Sequence, residues 1–436
     1  MDYSVVPSAL QSCSLTVPGD KSVSHRALML AAIAEGTSTI SGLLIGEDCL
    51  ATLAALQQLG VQIERPEETT AIVHGKGPGN LEAPDSPLDL GNSGTAMRLF
   101  AGLLAGQRVA ATLVGDGSLS RRPMKRVITP LSMMGASISS ESGTPPLNIG
   151  RSDELRGLNY TLPVASAQVK SALLLAGLHA RGETYLIEPG VSRDHTERML
   201  RTMGASLMAE DLRIRLPGEQ SLTAADISVP ADLSSAAFVL LAALLADDAE
   251  ITVRSVGVNP TRTGVIEILR EMGANIRVDN PRMMGEEPVA DLTATSSTLR
   301  SVHVPAESVS LAIDEFPVLF VAAAAAEGIS RFCGLEELRV KESDRVTAMV
   351  QGLRALGVTA NETDDGAEVL GGPLSGGEVD SQGDHRIAMA FAVAAARAAE
   401  PVRVANVAAV DTSFPGFLDT LRSAGLGISV VRGGDS

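Results

Sequence analysis

The sequence has no tryptophan, and aromatic residues are only 3% of its 436 positions. Large aromatic anchors are therefore scarce, and an abundance of Gly and Ala predicts helices packed closely through small side chains. Three cysteines, Cys13, Cys49 and Cys333, are too few and too scattered for a disulfide framework or a zinc site. That points to a reducing compartment, the cytoplasm by default. Lysine occurs five times, at 21, 76, 125, 170 and 341, and the formal net charge is -17. So acidic a chain is expected to bind neither nucleic acid nor an anionic membrane surface. The most apolar runs, 238–246 and 316–326, fall short of the ~20 residues that span a bilayer. Met1-Asp2-Tyr3-Ser4 opens no basic region followed by a hydrophobic segment, so no signal peptide is expected. The six histidines are scattered, and no metal-ligand spacing, phosphate loop, dinucleotide fingerprint or serine-nucleophile elbow occurs.

What the chain does have is repetition. One ending recurs six times: a helical pattern closes on an apolar residue, a glycine and a short apolar alternation, at Gly60, Gly135, Gly204, Gly273, Gly357 and Gly425. The glycines stand 68 to 84 residues apart. Glycine after a last helical turn is a cap, and the alternation beyond it predicts a strand. A second helix recurs in the same phase, starting near Ser24, Gly94, Ala167, Ser234, Glu315 and His385. These helices are apolar nearly all round and are expected inside, whereas the first set is amphipathic and expected outside. The fold class is α/β: six strand–helix repeats, three in each of two domains. The first domain spans 19–228; the second spans 229–436 and takes residues 1–18 as well.

Short polar or glycine turns precede all six apolar helices, among them Gly19-Asp20-Lys21-Ser22, Gly91-Asn92-Ser93, Ala231-Asp232 and Gly383-Asp384. A helix N-terminus exposes unpaired N–H groups and the positive end of a dipole, so the domains, facing each other, would form a cleft that attracts anions. Ordinary capping, six times over, is the alternative. At the first turn the two readings divide sharply. Lys21 and Arg26 stand at the wrong end of a helix for cations, which suggests an anionic ligand; otherwise Ser22 or Ser24 caps the helix and both cations point into solvent.

Other clusters carry polar groups that a core would not choose. The loop 115–126 includes Arg121, Arg122, Lys125 and Arg126, either a solvated basic face or a guanidinium held for a phosphate or carboxylate. Ser166-Ala167-Gln168-Val169-Lys170 and Ser192-Arg193-Asp194-His195 offer hydroxyl, amide and guanidinium groups suited to a hydroxylated, phosphorylated ligand. Asp314 and Glu315 precede an apolar helix and read as an N-cap and a first-turn acid. Lys341, Glu342 and Arg345 lie at a strand-to-helix junction, where a carboxylate between cations could shuttle a proton.

The motifs 19–26, 90–98 (Leu-Gly-Asn-Ser-Gly-Thr-Ala-Met-Arg), 339–345 (Arg-Val-Lys-Glu-Ser-Asp-Arg) and 384–386 (Asp-His-Arg), in that order, resemble those of the 5-enolpyruvylshikimate-3-phosphate synthase family of enolpyruvyl transferases. The likeness runs from about Leu15 to Phe417. It implies two domains, each an inside-out α/β barrel around buried parallel helices. It also implies two small-molecule substrates, shikimate 3-phosphate and phosphoenolpyruvate, no metal or organic cofactor, and a monomer. By the same resemblance Lys21, Ser22, Arg26, Ser166, Ala167, Gln168, Arg193, Asp314 and Lys341 bind shikimate 3-phosphate. Lys21, Gly94, Arg122, Gln168, Arg345 and Arg386 bind phosphoenolpyruvate, and Asp314, Glu342 and Lys21 are catalytic. Many members carry a Lys before the Ser/Thr-Phe-Pro near the C-terminus, where this chain has Thr412, so that cation is missing. Some members have Ala where this chain has Gly94, which leaves room here for the inhibitor glyphosate.

Two rivals remain at this level. A related transferase acting on a UDP-sugar commonly has a reactive Cys in a mobile loop, but none of the three cysteines lies near Arg122. A binding protein for phosphorylated metabolites would use the same cations without needing Glu342 beside Lys341.

Overall fold

The computed structural model describes residues 1–152 and 154–431. An inner helix leads into a strand, an outer helix follows, and two further strands join the first in a sheet; five repeats keep this order, and in the sixth one strand follows the outer helix while Asp2–Val6 supplies the other. The inner helices are Lys21–Ile33, Gly94–Gln107, Ala167–Gly177, Leu233–Leu245, Phe316–Ala324 and His385–Ala394. Their side chains are buried almost without exception, as helices without a polar face must be. The outer helices are Glu47–Gln58, Lys125–Met133, His195–Thr202, Gly264–Glu271, Arg345–Ala355 and Phe417–Ser423. Each buries one face and exposes the other.

Every outer helix stops in the same way. The six repeat glycines have φ between 82° and 99°, a left-handed conformation that costs a residue with a Cβ about 1–2 kcal/mol. At the first, the Gly60 N–H donates to the Gln57 carbonyl and the Val61 N–H to the Leu56 carbonyl, pairing carbonyls that the helix end leaves open. The same two bonds recur at the other five.

Contacts divide the chain into two units. The first comprises Gly19–Val229 and Met284–Glu287; the second comprises Met1–Pro18, Pro230–Met283 and the chain from Pro288 onward. Each has its own apolar core and three sheets. In the first unit the strands after the inner helices, Ala34–Ser41, Ala111–Val114 and Glu183–Ile187, each take a parallel neighbour on one side and an antiparallel one on the other. In the second unit Glu250–Gly257, Ile329–Phe332 and Val402–Ala405 do the same.

Three of these sheets are completed from segments distant in sequence, the first by Leu222–Thr223 and Ile227–Ser228 beside Ala34–Ser41. Cys13–Leu15 lies parallel to Glu250–Gly257. Asp2–Val6, for which the sequence offered no strand signal, lies between Val402–Ala405 and Gly427–Val431, with Tyr3 opposite Val404 on one side and Val430 on the other.

The two cores are built differently. Seven of the eight phenylalanines belong to the second unit, where Phe320 and Phe332 meet with centroids 4.9 Å apart and rings tilted by 32°, and Phe316 meets Phe332 edge-on at 5.8 Å. The first unit has Phe100 alone and packs backbone on backbone instead. A Cβ on Gly102 would stand 2.0 Å from the Ala172 carbonyl oxygen, so only glycine lets helices Gly94–Gln107 and Ala167–Gly177 approach this closely. Among the described residues no helix is long and apolar enough to cross a membrane.

Candidate active site

The polar residues singled out above fall into two groups, one in each unit, and each group gathers at the N-termini of that unit's three inner helices. In the first unit the helix Lys21–Ile33 begins three residues before the expected Ser24. Its cap is Asp20, whose carboxylate accepts the Val23 N–H at 2.9 Å, rather than Ser22 or Ser24. This leaves the Ser22 hydroxyl to accept from Arg193 at 3.4 Å and the Ser24 hydroxyl to receive the Leu44 N–H.

Arg26 does not point into solvent. It is buried, donating to Thr196 Oγ1 at 2.7 Å, Ser171 Oγ at 2.8 Å and the Ser22 carbonyl at 2.9 Å. Burial pushes its pKa down to about 10, which leaves it charged near neutral pH. Lys21 pairs with Asp48 of the neighbouring outer helix.

Gly94 opens the second inner helix, which Ser93 caps. Arg122 lies against this glycine: a Cβ there would stand 3.0 Å from one Arg122 guanidinium nitrogen and 2.9 Å from one of Arg98. Of the basic loop only Arg122 turns inward, to Asn92 and Ser118. Arg121, Lys125 and Arg126 are exposed, so the solvated-face reading holds for them. Ser166 caps the third inner helix and Ala167 is its first residue. Gln168 accepts from Arg98 at 2.7 Å and donates to Thr95 Oγ1 at 2.9 Å, joining the second helix start to the third.

The second unit carries acids where the first carries mostly hydroxyls. The cap positions of its inner helices hold Asp232, Glu315 and Asp384. An arginine stands beside each: Arg262 is 3.2 Å from Asp232 and 3.6 Å from Glu315, and Arg345 donates to Asp384 at 2.8 Å. The expectation of six similar positive helix ends is therefore corrected, because with Asp20 of the first unit a carboxylate stands at the cap position of four of them.

The reading of Asp314 as an N-cap is corrected too. Glu315 occupies the cap position without a capping bond, Pro317 follows in the first turn, and the Glu315 carboxylate accepts from Ser234 Oγ instead. Asp314 is left one residue outside the helix. Its Oδ1 lies 3.4 Å from an Arg345 nitrogen and 3.6 Å from Lys341 Nζ.

Arg345 organises this half. One side of its guanidinium holds Glu342 at 2.6 Å, another faces Asp314, and Nε reaches Asp384. Burial by itself would lower the Arg345 pKa, but the charges of Asp384, Glu342 and Asp314 outweigh it and push the value up. Asp384 is likewise opposed by burial yet held below the usual carboxylate range by Arg345. Arg386 donates to the Asp314 carbonyl at 3.0 Å, and the Asp384 carboxylate accepts the Arg386 N–H. Thr412 is nearly buried, and its hydroxyl donates to the Ala409 carbonyl.

Other polar residues of these clusters lie outside the roles that the motifs imply. His25 is buried between Thr52 Oγ1 at 2.8 Å and Ser93 Oγ at 3.4 Å, and desolvation pushes its pKa down to about 3. Arg98 belonged to the 90–98 motif without an assignment. Thr196, Ser171 and Arg262 had no local signal, because their role depends on elements that meet only in the folded chain.

Comparison with known proteins fits this geometry. Residues 6–421 match the family model described as EPSP synthase (3-phosphoshikimate 1-carboxyvinyltransferase). The chain is 55% identical over 435 residues to a 3-phosphoshikimate 1-carboxyvinyltransferase of Alkalilimnicola ehrlichii, covering 99% of this chain and 97% of that one. It is 52% identical to the protein of that name from Methylococcus capsulatus, covering 98% of each. The solved EPSP synthase of Acinetobacter baumannii superposes with a TM-score of 0.88 at 48% identity, covering 99% of this chain and all of that one. With matches of this extent and helix starts that carry the family's motifs, the chain belongs to the EPSP synthase family of 3-phosphoshikimate 1-carboxyvinyltransferases.

Proposed function

We propose that this chain carries out the reaction of its family. It transfers the enolpyruvyl group of phosphoenolpyruvate to the 5-hydroxyl of shikimate 3-phosphate and releases phosphate, a step toward chorismate and the aromatic amino acids. The observation that carries this reading is the arrangement about Arg345, where two carboxylates from different segments, Asp314 and Glu342, lie beside one buried guanidinium with Lys341 next to them. A protein that only bound phosphorylated metabolites would need a counter-ion for the buried Arg345, which Asp384 supplies, but not two further acids beside it.

In the first step Asp314 takes the proton of the attacking hydroxyl, the hydroxyl oxygen bonds to the enol carbon, and Glu342 delivers a proton to the methylene carbon. In the second, Glu342 removes a proton from the resulting methyl group, the enol double bond re-forms, and the phosphate leaves with Lys21 stabilising its charge. Ser22, Arg26, Ser166, Ala167, Gln168 and Arg193 of the first unit, with Asp314 and Lys341 of the second, hold shikimate 3-phosphate. Lys21, Gly94, Arg122, Gln168, Arg345 and Arg386 hold phosphoenolpyruvate. Paired guanidinium and carboxylate or phosphate groups fix both substrates in orientation.

The two compact units serve as the two domains, each an inside-out α/β barrel, and the protein works as a cytoplasmic monomer without nucleic-acid partners. The test is phosphate release with both substrates present. Glu342→Gln and Asp314→Asn are expected to lower kcat by about 10²–10⁴-fold, while in Glu342→Gln, which is outside the shikimate 3-phosphate set, calorimetric binding of that substrate stays within about threefold of wild type. Binding without release in the wild type would reduce the protein to a carrier.

A further inference from the structure

Lys170 is one of only five lysines, and it is wholly buried, with 1% of its side chain exposed. Its ammonium meets Glu188 at 2.8 Å and Glu197 at 2.7 Å, and both acids are buried as well. It also donates to the Ser192 carbonyl at 3.4 Å. Glu188 accepts a second bond from the Ser192 hydroxyl, closing 188–192 into a turn. Glu197 belongs to the outer helix His195–Thr202. Lys170 therefore holds both ends of a short segment, the turn before Arg193 and the helix after it, and fixes them to the inner helix that begins at Ala167.

Three buried charges are a costly way to stabilise a core, since well-packed apolar side chains of similar volume serve at least as well. What such a cluster supplies is a fixed geometry. The groups it fixes are the ones on either side of it. Arg193 reaches Ser22. Ser171 and Thr196, the neighbours of Lys170 and Glu197 in sequence, bond to each other at 2.7 Å and together receive the Arg26 guanidinium.

We propose that Lys170 is a positioning residue for shikimate 3-phosphate: with Glu188 and Glu197 it sets the place of Arg193 and Arg26, and weakening the cluster loosens binding of that substrate alone. This rests on the assignment of Arg26 and Arg193 to that substrate in the function proposed above. Of the phosphoenolpyruvate residues, Gly94 and Arg122 lie at the start of a different inner helix, and Gln168, though in the helix of Lys170, is held by Arg98 and Thr95 rather than by the cluster, so these keep their geometry.

Glu188→Gln tests this most cleanly, because it leaves the Lys170–Glu197 pair intact and the chain able to fold; Lys170→Met is the more severe companion. Glu188→Gln is expected to raise both the KM and the calorimetric Kd for shikimate 3-phosphate about tenfold, with kcat at saturation and KM for phosphoenolpyruvate within about twofold. A folded Glu188→Gln protein with unchanged Kd, or an equal rise in both KM values, would overturn the positioning role and leave the transferase reading standing. A wild-type chain that bound no shikimate 3-phosphate would overturn both.

Discussion

Gly94 has almost no room for a side chain, and what borders it is chemistry rather than core. An added methyl group would press on the ends of Arg98 and Arg122, and both guanidinium groups would have to shift by a few tenths of an ångström. Gly94→Ala is therefore expected to raise KM for phosphoenolpyruvate about tenfold through a displaced Arg122, and to weaken inhibition by glyphosate further. Initial rates at several concentrations of each check this, and unchanged values would mean that Arg122 does not hold the anion. At this scale the sequence showed which residues gather but not how they pair. Asp20, Ser22 and Ser24 all carry an oxygen able to cap, and only the backbone turn at 20 decides among them. Asp314 likewise yields the cap position to Glu315, which Ser234 and Arg262, distant in sequence, claim.

The helices hold two kinds of glycine, and only one of them announces itself in the sequence. Gly204 has φ 88° and no atom within 4 Å of an added Cβ, so Gly204→Ala meets backbone strain alone and should cost about 1–2 kcal/mol. Gly102 sits in a regular helix, yet its Cβ would overlap the Ala172 backbone. Gly102→Ala must push two inner helices apart, and more than about 3 kcal/mol is expected, at the upper end of overpacking. Urea unfolding of the two variants gives the comparison; equal costs would mean that the helix pair yields easily. The six caps were legible because a helix-ending glycine leaves a local signature repeated at a regular interval. The Gly102 contact was not, because nothing near it in sequence names the partner helix.

Across the described residues, desolvation holds two imidazoles neutral, His25 fully buried and His179 partly so. Desolvation lowers His25 to about 3 and His179 to about 4, from ordinary values near 6.5. Above pH 6.5 neither state binds the proton and neither residue affects stability. As the pH falls below 6.5 the unfolded chain takes up protons that the folded chain refuses, and each residue costs about 1.4 kcal/mol per unit until pH 4 for His179 and pH 3 for His25. His25→Asn should flatten the fall in stability between pH 6 and 4 by about one proton in the slope; an unaltered slope would mean His25 charges freely in the folded state. The α/β repeat was legible at this scale, since apolar and amphipathic helices alternate along the chain. The strand at 2–6 was not, for its partners lie some 400 residues away. That strand has a consequence for synthesis. Residues 19–229 emerge from the ribosome as an unbroken run holding all three sheets of the first unit, and they can fold while translation continues. Asp2–Val6 emerges before any of them, yet its partners Val402–Ala405 and Gly427–Val431 are made only after the whole of that run, so a strand translated ahead of the first unit finds its place after it.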